Sequence, residues 1–143
     1  MKTIMCCLAL VSIAVFTSAA FAQEPTLTSV EVKFDTTTDD KNADSKLDVY
    51  VKTSEGQEVA KSEGNEGVWD EHSSHSVTLQ IEGNPTKAEV ANGSVSMTFH
   101  PHGSDKWNFN YKVILKFSDG SSIIKELEGC ELTQHNASRT DSL

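Results

Sequence analysis

From Trp107 to Phe117 every second residue is apolar or aromatic: Trp107, Phe109, Tyr111, Val113, Leu115 and Phe117. A helix of 3.6 residues per turn would scatter these six around its circumference, whereas a strand puts them all on one face. The segment therefore predicts a long strand with one face in a core and the other toward water. Ser118-Asp119-Gly120-Ser121 follows it, and Asp-Gly between apolar runs is a hairpin signal. The chain returns through Ile123, Ile124 and Leu127, and a further strand is expected near Leu132.

The same period recurs upstream. Val30, Val32 and Phe34 alternate with Glu31 and Lys33, and Leu47, Val49 and Val51 alternate with Asp48 and Tyr50. A short strand is expected around Gln57 to Lys61, then Val77-Leu79-Ile81 and Val95-Met97-Phe99. No segment reads as a long amphipathic helix, and no internal repeat is present. Seven or eight such half-buried strands predict an all-β, antiparallel β-sandwich forming a single domain over residues 23–143. Residues from about 134 onward are polar and read as a frayed tail.

Residues 1–22 read as a secretory signal. Lys2 is its positive end, Cys6 to Phe16 its apolar stretch, and Ala20-Phe21-Ala22 its cleavage site. The apolar stretch is too short for a transmembrane segment, and no second one follows. Secretion or a periplasmic location is expected. Cleavage would leave Cys130 as the one cysteine, a small buried hydrophobe or the route to a disulfide-linked dimer. A monomer is the simpler expectation.

The 143 residues carry a net charge of −9, with 37% hydrophobic and 23% charged residues. That balance is a folded chain and excludes phosphate-backbone binding to nucleic acid, which needs clustered Lys and Arg. The acidity is local. The segment Asp35 to Ser45 carries Asp35, Asp39, Asp40 and Asp44, with Asn42 as a neutral oxygen donor. It is also longer than the two to five residues that join neighbouring antiparallel strands. Four like charges repel one another, and calcium, which takes six to eight oxygens, would relieve that. Asp40, Asn42 and Asp44 have the alternate spacing of the first EF-hand ligands, but Ser45 stands where the turn glycine belongs and Val51 where the bidentate Glu belongs. Calcium binding and a merely solvated loop both remain open.

Topology decides whether Asp105 can join that loop. With residues 86–90 irregular, the loops near 35–45, 62–74 and 101–106 share one end of a sandwich, bringing Asp70, Glu71 and Asp105 together. With Lys87 to Val90 as a strand, Asp105 moves to the far end. The metal candidates are accordingly Asp35, Asp39, Asp40, Asn42, Asp44 and Asp105.

Other features are plainer. His72 with His75, and His100 with His102, have no third ligand at a fixed spacing and read as loop histidines. Trp107 belongs to the core by its parity, and Trp69 is expected to cover the core's edge. No Gly-x-Ser-x-Gly, His-Glu-x-x-His or phosphate-cradling glycine loop occurs, so no enzyme activity is expected. Asn92-Gly-Ser94 and Asn136-Ala-Ser138 fit the N-glycosylation pattern.

Thr37-x-Asp39-x-Lys41-x-Ala43-x-Ser45 leading into Val49-Tyr50-Val51, with Phe99-His-Pro-His-Gly-Ser-Asp-Lys-Trp107 later, resembles a PLAT/LH2 domain over about residues 28–128. The loop glycines of that family are largely missing here. The resemblance implies an eight-stranded C2-like sandwich that binds a lipid surface or a protein partner, often with calcium, without catalysis. Asp39, Asp40, Asp44 and Asp105 would be its ligands. The alternatives are a small secreted inhibitor or structural protein, or a carbohydrate-binding module. The last would show a row of exposed aromatics, with Tyr50 and Tyr111 as first candidates.

Overall fold

A computed structural model describes residues 23–143. The signal-sequence reading, with Lys2, Cys6 and Cys7, lies outside the described residues. Eight strands form: β1 Leu27–Thr36, β2 Lys46–Lys52, β3 Glu58–Asn65, β4 Ser74–Ile81, β5 Ser94–His100, β6 Lys106–Phe117, β7 Ser122–Thr133 and β8 Ser138–Ser142. A five-residue helix, α1 (Lys87–Ala91), stands between β4 and β5. The chain is all-β, as the alternation requires.

The strands hydrogen-bond in the order β7-β6-β1-β4-β3-β2-β5-β8, each antiparallel to its neighbour. β4 runs beside β1 from Ser74 to Leu79, then pairs with β3 only through Gln80 and Ile81. That brief contact is where the sheet folds over. Its halves are β7-β6-β1-β4 and β3-β2-β5-β8, and their inward residues share one core: Val30, Val32 and Phe34 from the first, Leu47, Val49, Val95, Met97 and Phe99 from the second. All six alternating residues of β6 are buried.

Three sequence expectations change. The Leu132 segment is not a separate strand but the end of β7. A register slip between the pairs Phe109–Cys130 and Tyr111–Leu127 marks a bulge. There Gly129 takes φ of 65° and its N–H donates to Asn110 Oδ1 at 2.8 Å. The extra residue flips the inward set from Ile123 and Leu127 to Cys130 and Leu132, which is why strict alternation breaks there. Residues beyond 134 are not frayed: β8 pairs with β5 from Ser94–Ser142 to Thr98–Ser138. Finally, residues 87–91 form a short helix, neither irregular chain nor strand. The Thr86 hydroxyl accepts from the Glu89 N–H while the Glu89 carboxylate accepts from the Thr86 N–H, a capping box. With no strand there, the connections after β1, β3, β5 and β7 all lie at one end, called below the loop end.

Candidate functional site

The loop end is assembled from residues 37–45, 66–73, 101–105 and 134–137. Its longest member has a reason that strand spacing alone conceals. β1 and β2 are not neighbours: β1 lies between β6 and β4, β2 between β3 and β5. The connection crosses from one half of the sheet to the other, over the mouth of the core, and needs its length for that alone.

Beneath it sits an aromatic cluster. The Phe34 ring lies 5.3 Å from both Trp69 and Trp107, and Trp107 stacks on Phe109 at 3.9 Å. Trp69 and Trp107 meet edge to face at 5.1 Å. The Trp107 indole N–H donates to the Thr36 hydroxyl at 3.1 Å, satisfying its one polar atom in the interior. Trp69 is 5% exposed and covers the core edge, with the His75 ring stacked on it at 5.0 Å.

Two charged groups are buried with these rings. Lys41 is wholly inaccessible. Its backbone exchanges two hydrogen bonds with Trp69, of 3.2 and 3.0 Å. Its ammonium donates to the Gly67 carbonyl at 2.8 Å and the Asn42 carbonyl at 3.4 Å, and stands 5.0 Å from the Trp69 ring centre. Burial lowers its pKa from the usual 10.5, while the charges of Asp105 and Glu66 pull it upward. Asp105 is 7% exposed. Its Oδ2 accepts the Ser45 hydroxyl at 2.5 Å and the Asn42 N–H at 3.1 Å, and the Ser45 hydroxyl oxygen accepts the His102 N–H at 3.0 Å. One carboxylate thus ties the 42–45 turn to the 101–105 loop. Sequence reasoning singled out Asp105 as a metal ligand; the structure shows its Oδ2 engaged by Ser45 and Asn42. Lys41 was missed, because a lysine in the polar run Asp39-Asp40-Lys41-Asn42 reads as a surface residue.

The remaining candidates disperse. Asp35 is not in the loop: it lies on the outward face of β1, opposite Ser74, whose hydroxyl it accepts, and Asn110. Asp39 accepts from the Asn108 side-chain amide and faces Lys106 at 3.4 Å. Asp44 is exposed and faces His102 at 3.3 Å, and Asn42 is exposed beside it. Asp40 is half-buried, and among the described residues it has no ion-pair partner. Asp70 and Glu71 are exposed on the neighbouring loop. Of the six candidates, Asp39, Asp40, Asn42, Asp44 and Asp105 belong to this end. Among the described residues, no group of three or more His, Cys, Asp or Glu side chains comes together as a metal centre.

The other sequence candidates are placed as follows. Tyr111 is buried and its hydroxyl donates to Asp141 at 2.5 Å, so it forms no exposed aromatic row with Tyr50. Tyr50 is half-buried on the outer face, its hydroxyl on Glu63 at 2.9 Å. Desolvation, then that hydrogen bond, pushes its pKa up to about 12. Among the described residues the exposed large hydrophobics are Val68 and Ile124, neither aromatic. Cys130 is an unbridged cysteine, 1% exposed, and burial raises its thiol pKa. No described helix is long and apolar enough to cross a membrane.

No family model matches the sequence, and no curated protein matches it. Among solved structures the chain is similar to the alpha toxin from Clostridium absonum, at 18% identity and a TM-score of 0.49. The match covers 83% of this chain and 34% of that one, so this chain spans about a third of its length.

Proposed function

We propose that this chain is a secreted, non-enzymatic binding module of PLAT/LH2-like build that meets a protein partner with its loop end. The observation supporting this is the buried Lys41–Asp105 framework. Taking an ammonium and a carboxylate out of water is costly, and such groups are better suited to fixing an arrangement than to adding stability. Here they fix a frame from which Asp44, Asp70 and Glu71 face solvent, with Asp39 and Asp40 at the rim. A rigid acidic surface complements a basic segment of a partner protein and would speed its capture. Lys41 already supplies a cation inside the loop, so this reading needs no metal.

A second reading keeps calcium, bridging the same rim to anionic lipid. It is favoured by the exposure of Asn42 and Asp44 at alternate positions beside Asp40. Asp39, Asp40, Asn42 and Asp44 would be the ligands.

One experiment separates the two. The full chain is titrated with polylysine, and with phosphatidylserine vesicles in calcium or in chelator. The same titrations use an Asp39→Asn/Asp40→Asn/Asp44→Asn variant and a control, Glu55→Gln/Glu58→Gln. Polylysine binding lost only in the aspartate variant supports the protein-partner reading. Calcium-dependent vesicle binding supports the second, and a calcium site saturated a hundredfold above its Kd would add about 2.7 kcal/mol of stability. Binding to neither probe, or equal loss in both variants, sinks the loop-end assignment.

A further inference from the structure

β8 is an unusual strand to find closing a core. Its sequence, Ser138-Arg139-Thr140-Asp141-Ser142, contains no apolar residue. Yet it covers the edge of β5, whose Val95, Met97 and Phe99 are each about 1% exposed. The backbone of β8 pairs with β5 alone, and β8 adds only a partly buried Leu143 to the core. The backbone bonds Phe99 N–H to Ala137 O and Leu143 N–H to Gly93 O bracket the pairing. Its inward side chains are Arg139 and Asp141, opposite Met97 and Val95. They pair with each other through both carboxylate oxygens, and Asp141 also accepts the buried Tyr111 hydroxyl. A strand anchored by backbone bonds and one polar cluster, with little apolar area of its own, belongs to the low-stability end of local opening.

When β8 opens, the β5 edge it leaves is an unpaired, hydrophobically backed template. The edge is selective. An incoming strand that sets an acceptor such as the Asp141 carboxylate opposite Val95 satisfies the Tyr111 hydroxyl, which would otherwise be buried without a partner. The segment that meets this condition is residues 138–143 of another copy. We propose that β8 exchanges between two copies of this chain, each donating its β8 to the β5 of the other. The contacts made are identical in the closed and exchanged forms, so concentration and the 134–137 connection set the equilibrium. The Asp141 cluster governs the rate, because it must break in either direction. The exchanged pair would carry two loop ends, and a partner with repeated basic segments would engage both.

A disulfide trap reads the exchange directly. Thr98 and Ser138 are register partners facing outward, at a pair not bonded through its own backbone, where side chains approach closely. The full chain with Thr98→Cys and Ser138→Cys, and with Cys6, Cys7 and Cys130 changed to alanine, is incubated over a wide concentration series and then oxidised. Exchange gives a covalent dimer whose fraction rises with concentration, and light scattering of the unmodified chain gives twice the monomer mass in the same range. Adding Asp141→Ala speeds its appearance roughly tenfold or more without moving its final fraction, as expected for losing charge-assisted bonds. Only intrachain disulfide at every concentration, with the unmodified chain monomeric throughout, overturns the proposal. So does a dimer fraction independent of concentration.

Discussion

The two ends of the sandwich are both acidic, yet they are held together in opposite ways. At the loop end, three connections converge on buried groups: Lys41 beneath Trp69, and Asp105 beneath Asn42 and Ser45. At the other end each turn also has bonds of its own, and the links between turns, such as the Lys87 ammonium on the Ser121 hydroxyl at 2.9 Å, involve no buried charge. Thr86 and Glu89 cap α1, the Asp119 carboxylate accepts the Ser121 N–H and hydroxyl, and the Thr53 hydroxyl accepts the Gln57 N–H. A shallow cleft there, of about 160 Å³, is lined by Thr53, Gln57, Glu82, Asn84 and Glu89, with no histidine or cysteine among its walls. Local capping makes an end that tolerates change one turn at a time. A shared buried charge makes an end that keeps or loses its shape as a unit.

Substitutions should expose that difference, the largest first. Lys41→Met should cost about 3 kcal/mol in urea unfolding, the loss expected when the Gly67 and Asn42 carbonyls lose their charge-assisted hydrogen bonds. A loss below about 1 kcal/mol would mean that the loop end is held by something else. Asp105→Ala should cost about 2–3 kcal/mol, since it leaves the Ser45 hydroxyl and Asn42 N–H without their acceptor. Hydrogen exchange should then quicken at Asn42, Ser45 and His102 together. Exchange rising at Asn42 alone would break the idea of a shared anchor. At the other end, Thr86→Ala should cost only about 1 kcal/mol, the usual worth of a helix cap, and should leave exchange at Asn42 unchanged.

The smallest effect is a pH dependence. Hydrogen bonds from the Thr86 backbone and hydroxyl lower the Glu89 pKa below 4.5. The unfolded chain therefore takes up this proton first as acid is added. The Glu89 contribution is complete above pH 4.5 and disappears as pH falls through its lowered folded value. The melting-temperature gap between wild type and Glu89→Gln should close over that acid range. A gap constant from pH 6 to pH 3 would contradict the capping box.

How much of this was legible depends on whether a residue's role is local. β6 was readable from Trp107 to Phe117 because one period governs the whole strand. The burial of Trp69 was readable too, since a large ring beside a polar loop has few other places to go. The length of the 37–45 connection was visible, but its cause was not: it spans two halves of the sheet, and strand order is a tertiary fact. Asp105 was noticed for its charge, whereas its hydrogen bonds to Ser45 and Asn42, some sixty residues upstream, are tertiary facts. The burial of Lys41 and the strand β8 gave no local sign, one because its neighbours Asp40 and Asn42 are polar, the other because Ser-Arg-Thr-Asp-Ser has the composition of a loop and is a strand only where β5 waits for it.

The aromatic cluster has an optical consequence. The sequence contains two tryptophans, Trp69 and Trp107, and both lie under the loop end. Light absorbed and re-emitted by this chain at indole wavelengths therefore comes from one end of the molecule. The Lys41 ammonium and the His75 ring, each about 5 Å from the Trp69 ring centre, are close enough to colour that emission. Any visitor that shifts the 37–45 or 66–73 segment should announce itself without a label, while events around α1 pass in the dark.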